Sequence, residues 1–180
     1  MITIDELRKL VIKLPARSGV GGIKAKTADR VYRFYNEQLI ERRTDDVHTH
    51  TFGFHSTVEK GVLRNILYDV IVTDEESEYK LVQGKCQKGL QPPTVAENVI
   101  VKETFRTDMP TGTEYQIAQD AFHRVEFVTD SVVTSIVPTF IPTGDPKYAI
   151  EKSAEYVCPW GENKVSPAQC WEIIDTILAN

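Results

Sequence analysis

The residues most capable of metal chemistry in this chain are its histidines. Three of the four lie within ten residues, in VHTHTFGFHS, as His48, His50 and His55, and the fourth, His123, lies in AFHRVEF. Neutral imidazoles are good ligands for Fe(II), Zn(II), Ni(II) and Cu(II), whereas Mg(II) and Ca(II) prefer oxygen ligands. If the fold brings these histidines together, we expect them to form a transition-metal site.

The spacing of the histidines indicates which of them can share a site. In a β-strand, residues i and i+2 project to the same face, so His48 and His50 can point together into one pocket. His123 belongs to a separate predicted strand, FHRVEFV, and could complete the site from across a barrel. His55 lies five residues after His50 and reaches the same pocket only if a bulge intervenes, for example at Gly53. We therefore predict His48, His50 and His123 as metal ligands and His55 as a candidate fourth.

Three histidines on one side of a metal leave coordination positions open, which is typical of catalytic rather than structural sites. With Fe(II), the open positions could take dioxygen and a substrate together. With Zn(II), the same ligands would lower the pKa of a bound water to about 7 and favour a hydrolase or hydratase. The alternative without a metal is that His48 and His50 are polar residues of an exposed edge strand. No carboxylate lies at a spacing that marks it as a general acid or base.

Composition indicates the class of partner. A formal charge of -5 and a pI near 5.4 argue against nucleic acid, because phosphate neutralisation requires clustered Lys and Arg. A small-molecule substrate is the better partner. The chain contains no apolar run long enough for a membrane span, so we expect no membrane partner and a cytoplasmic location. The cysteines Cys86, Cys158 and Cys170 form no CxxC pair and suit free thiols in a reducing compartment.

The predicted elements change type along the chain. TIDELRKLVIKL predicts a helix capped by Thr3, and TADRVYRFYNEQLIERR predicts a second helix capped by Thr27 with Val31, Tyr35 and Leu39 on one stripe. Short runs rich in Val, Ile, Thr, Tyr and Phe then predict an antiparallel β-region of about seven or more strands. SPAQCWEIIDTILAN predicts a C-terminal helix that begins with a capping box at Ser166.

These elements predict one mainly β domain over residues 1–180, of a size that can bury a core. Residues 1–45 would be a helical N-terminal segment, 46–142 the β-barrel core, and 143–180 a loop and the C-terminal helix. Helices on both sides of a block of strands favour a closed or double-sheet antiparallel structure, in which every second strand residue lines the interior. Pairing of an edge strand could make the protein a homodimer.

At the histidines the sequence resembles the cupin superfamily. HTHTFGFHSTVEKG keeps the HxH of the first cupin motif and its closing glycine, Gly61, but has His55 where the family has an acidic ligand. TGTEYQIAQDAFHRV is similar to the second motif and supplies His123, with QDA in place of the usual Pro-x-Gly turn. The two motifs span the middle half of the chain. Cupin-like proteins that lack the Glu and keep three histidines include the thiol dioxygenase branch.

This resemblance implies a cupin-like β-barrel or double-sheet jelly roll with N-terminal helices and a C-terminal helix. It implies a small metalloprotein, a non-haem Fe(II) dioxygenase-like enzyme acting on a small thiol or acid, with Zn(II) or Ni(II) as other metals that the site could take. The alternatives are a three-histidine zinc hydrolase or hydratase, and a cupin-fold binding or interaction protein without turnover.

Overall fold

The computed structural model describes residues 2–18, 22–39, 47–83, 94–139, 145–153 and 165–179. Within these ranges the chain forms two helices, α1 (Ile4–Leu10) and α2 (Pro167–Ala179). It also forms the strands β1 (Lys13–Ser18), β2 (Gly22–Lys26), β3 (Val31–Asn36), β4 (Val47–His48), β5 (Phe54–Lys60), β6 (Val62–Val72), β7 (Tyr79–Gln83), β8 (Thr94–Pro110), β9 (Glu114–Ile117), β10 (Phe122–Phe127), β11 (Ser131–Pro138) and β12 (Lys147–Glu151). The predicted mainly β class is confirmed.

The strands form two antiparallel assemblies. Six strands form an open sheet in the order β1-β2-β3-β11-β5-β9, and the other six close into a barrel in the order β10-β4-β12-β7-β8-β6. The antiparallel β6–β10 pair closes the barrel, with His123 opposite Leu67. One barrel strand, β12, lies beyond residue 142, where we expected the β-region to end.

Each face of the open sheet buries a different part of the core. On one face, Phe34 of β3 and Ile23 of β2 pack against Leu7 of α1 and Ile174 of α2. On the other face, residues of the sheet such as Val58 pack against barrel residues, including Leu63 and Val125. The open sheet is therefore the middle layer, between the helices and one wall of the barrel. A third cluster, formed by Val47, Val99, Ala149 and partly buried residues of the barrel strands, fills the barrel itself.

Both helices begin as the sequence predicts. The Thr3 hydroxyl accepts a hydrogen bond from the Glu6 backbone N–H, and the Glu6 carboxylate accepts one from the Thr3 backbone N–H. At α2, the Ser166 hydroxyl accepts from the Gln169 N–H, while the Gln169 side chain accepts from the Ser166 N–H. These reciprocal bonds satisfy amide groups that have no partner within the helix. No helix among the described residues is long and apolar enough to cross a membrane.

The second predicted helix is wrong. Residues 31–36 form β3, in the middle of the open sheet, paired with β2 on one side and β11 on the other. The segment VYRFYN is rich in aromatic and β-branched residues, which pack well on a pleated sheet. Thr27, expected to cap a helix, instead closes the β2–β3 turn: its backbone N–H donates to the Arg30 carbonyl at 3.0 Å. Among the described residues of the segment 1–45, the helical prediction therefore holds only for α1.

Candidate metal centre

Two strand segments bring three of the four histidines together. His48 of β4 and His123 of β10 are directly opposite each other in an antiparallel pair, so their side chains leave the same face of the barrel wall. His50 follows His48 by two residues, and its backbone N–H donates to the Gln119 carbonyl at 3.1 Å. That bond ties the segment after β4 to the residues just before β10. The site is therefore positioned by backbone pairing on both sides.

The three imidazoles form a nearly equilateral triangle. Each of the three pairs of ring centroids is separated by 4.9 Å. One ring nitrogen from each histidine lies within 4.8 Å of the others, and Nε2 of His50 lies 2.7 Å from Nε2 of His123. Among the described residues, His48, His50 and His123 thus form a group that could hold a metal ion.

The group lies between the barrel and the open sheet rather than inside the closed barrel, where we had expected the histidines to point. Side chains alternate along a strand, and Val47 and Phe122, the immediate neighbours of His48 and His123, belong to the cluster that fills the barrel. The histidines therefore face the other way. Phe54 of the open sheet packs edge-on against His50, with ring centroids 4.9 Å apart and planes at 90°.

Asn65 of β6 fixes the orientation of His123. Both side chains are buried, and Oδ1 of Asn65 lies 2.9 Å from Nδ1 of His123. When the amide oxygen accepts, Nδ1 carries the proton and Nε2 keeps its lone pair. A hydrogen bond to the remote ring nitrogen is the usual support of a metal-bound histidine. Asn65 was not identified from the sequence, because a lone Asn within a strand has no distinctive spacing.

The surroundings favour the neutral form of two of the imidazoles, those of His50 and His123. Burial is the main cause that lowers the pKa of His50 and of His123 well below the usual value of 6.5, and the charge of His48 lowers both further. The Arg33 guanidinium also disfavours protonation of both rings. A neutral imidazole is the form that binds a metal, so the environment favours the ligating state.

Arg33 was not predicted as a site residue, because its segment was predicted to be a helix. That prediction gave no indication that its side chain would project toward the histidines. On β3 it shares a face with Tyr35, and its Nη1 lies 3.5 Å from the Tyr35 hydroxyl. Tyr115 of β9 is near enough for its hydroxyl and the Arg33 charge to affect each other's pKa. Burial is the main cause that raises the pKa of Tyr115 to about 12. A cation therefore lies near the histidines, and a neutral phenol lies near that cation.

The structure does not bring His55 to the group. His55 lies on β5 of the open sheet, with its side chain exposed, while its neighbours Phe54 and Ser56 are buried. No turn at Gly53 reverses this alternation, since His55 pairs in register with Gln116 and Val137.

The three cysteines were predicted to be free thiols. Cys170 is a free, buried cysteine of α2, whereas Cys86 and Cys158 lie outside the described residues.

Comparison with family models, with curated proteins and with solved structures finds no match. The mainly β fold with its closed six-stranded barrel and the three-histidine group are compatible with the cupin-like resemblance of the sequence.

Proposed function

We propose that this protein is a metal-dependent enzyme of the non-haem Fe(II) dioxygenase-like type, acting on a small thiol or acid. The observation that carries the proposal is the convergence of His48, His50 and His123. No Asp, Glu or Cys among the described residues joins this group. Three protein ligands on one side would leave positions for a substrate and a second small molecule.

The ligand set is one that iron accepts, since neutral imidazoles suit Fe(II). The Nε2 atoms of His50 and His123 lie 2.7 Å apart, at the length of an N–H···N hydrogen bond, so these two ligand atoms already converge on one point. Zn(II) and Ni(II) remain chemically acceptable to three imidazoles. Bound iron would supply the capacity to activate dioxygen.

The residues of this chain would hold, orient and shield the reacting groups. Asn65 keeps the Nε2 lone pair of His123 available, and Phe54 restricts water beside His50. Arg33 places a permanent positive charge near these rings, which favours a substrate with a negative group, such as an acid.

The proposal is tested first by metal analysis of protein purified without an affinity tag. We expect about one metal ion per chain, followed by oxygen consumption with members of a panel of small thiols and acids. Metal-loaded protein without turnover would support a binding protein. A hydrolase would show ester or amide hydrolysis with zinc, without oxygen consumption.

The second test replaces each histidine by Ala. We expect His48→Ala, His50→Ala and His123→Ala each to lose most of the metal, because two imidazoles hold a divalent ion much less well than three. His55→Ala is the matched control and should keep wild-type metal content, since its side chain is exposed on the other sheet. Wild-type metal content in the first three variants would overturn the metal-binding proposal.

A further inference from the structure

Two cationic side chains stand side by side on the face of the open sheet that contains Arg33. Lys24 of β2 and Arg33 of β3 are direct partners in the antiparallel register. Such partners point to the same face, with Cβ atoms about 5 Å apart, and like charges in this position are destabilising. The pair therefore places two positive charges next to each other on one face of the sheet.

Arg33 is incompletely satisfied by the protein. Its Nε is buried and has no hydrogen-bond partner among the described residues, and its Nη1 lies 3.5 Å from the Tyr35 hydroxyl, a long contact. No carboxylate in the described ranges forms an ion pair with it. A buried donor without an acceptor is destabilising, and more so when it is charged. The guanidinium fork is suited to bidentate oxyanions.

Lys24 extends this positive charge toward the surface. Its side chain is half-buried, and the two other lysines that act on it, Lys13 and Lys26, are exposed. Burial is the main cause that lowers the pKa of Lys24, followed by the charges of Arg33, Lys13 and Lys26. Positive charge is thus concentrated along β1, β2 and β3, although the chain as a whole is acidic. A local field of this kind attracts anions.

We infer that Lys24 and Arg33 form a two-cation subsite for a doubly charged anion, either a dicarboxylate or a phosphoryl group. Arg33 supplies the paired donors, and Lys24 supplies the second charge. The Arg33 charge acts on both His50 and His123, so the subsite lies near the three histidines. A role for it in holding a substrate at a metal rests on the proposed function. The anion preference itself does not depend on the metal, since both cations belong to the protein.

The test measures binding of three probes by calorimetry at pH 8: acetate, succinate and inorganic phosphate. Each probe is titrated into the full chain, with and without Co(II), and the absorption of bound Co(II) reports the metal centre separately. We expect succinate or phosphate to bind at least about tenfold more tightly than acetate, because each can make a second charge-assisted hydrogen bond. Which of the two binds distinguishes the dicarboxylate from the phosphoryl group.

Single substitutions show whether the preference for doubly charged probes depends on Lys24 and Arg33. Lys24→Met and Arg33→Met should each reduce binding of the doubly charged probe to the level of acetate. Lys102→Met is the matched control, since it removes the same charge from an exposed position of β8, and its binding should equal wild type. If Arg33→Met does not fold, Lys24→Met decides alone, because its half-buried position tolerates the change.

Three results would overturn the inference. These are equal binding of acetate and the doubly charged probes, unchanged binding in Lys24→Met, and a preference that appears only when Co(II) is bound. A protein that binds no Co(II) but still prefers the doubly charged probe would refute the proposed function and leave the subsite in place.

Discussion

Replacing Asn65 by Leu should weaken metal binding without removing any metal ligand. Asn65 and His123 are 5% and 3% exposed, and the bond between them is 2.9 Å long. Leu has a similar size but no acceptor, so Nδ1–H of His123 would lose its partner. The imidazole could then rotate or change tautomer, and Nε2 would no longer be held as the ligand atom.

The expected loss of metal affinity follows from the burial of the Asn65–His123 hydrogen bond. Loss of such a supporting hydrogen bond typically lowers metal affinity by about 10–100-fold, which is about 1.4–2.7 kcal/mol. The unpaired buried N–H should also lower the free energy of unfolding of the metal-free protein by about 1–3 kcal/mol. Asn65→Asp keeps an acceptor oxygen and should retain most of the affinity.

The assay is competition for Co(II) between the protein and a chelator, combined with urea denaturation of the metal-free protein. Asn36→Leu is the matched control. Asn36 is also buried, and its side-chain N–H donates to the Ser131 hydroxyl at 2.8 Å, on the open sheet. We expect it to lose stability and keep wild-type Co(II) affinity. The reasoning would be refuted if Asn65→Leu lost stability but bound Co(II) within a factor of about two of wild type, well below the usual loss.

The remaining predictions concern stability and pH. Trp171→Ala should lower the free energy of unfolding by about 2 kcal/mol in urea denaturation. This is less than the loss of about 3–5 kcal/mol for a fully buried Trp, because the Trp171 side chain is only partly buried. An unchanged free energy of unfolding would show that its packing on the core is unimportant. Gly61→Ala should destabilise the protein more than Gly112→Ala. Both glycines have positive φ (78° and 91°), but only at Gly61 would a Cβ meet a backbone oxygen, that of Ser131. Equal decreases in melting temperature for the two variants would contradict this. Burial raises the pKa of Tyr115 from 10.0 to about 12, so the folded state favours the neutral phenol. The stability that results is fully present below pH 10 and is lost as the pH rises from 10 to about 12. Absorbance titration should show a tyrosine that ionises near pH 12 and disappears in Tyr115→Phe.

Local sequence determined the features that depend on near neighbours in the chain. Both capping boxes, at Thr3 and Ser166, form because the partners lie three residues apart and meet whenever a helix begins there. The spacing of His48 and His50 likewise predicts that both side chains share one face. Strand β4 ends at His48, and His50 is held by the hydrogen bond from its N–H to the Gln119 carbonyl. The pairing of this segment with a later histidine strand was an inference from the cupin resemblance and the strand pattern, and the structure places His123 opposite His48.

Tertiary structure decided the features that depend on which strands become neighbours. Residues 31–36 have apolar spacing that fits a helix, and they become a strand because β2 and β11 lie on either side to pair with them. That pairing turns Arg33 toward the site and sets it beside Lys24. The same is true of Asn65, which reaches His123 only because β6 and β10 close the barrel. Sequence spacing determines the face of a strand on which a side chain lies. Long-range packing determines which layer of the fold that face contacts. For this reason the histidines lie between the barrel and the open sheet and not inside the barrel.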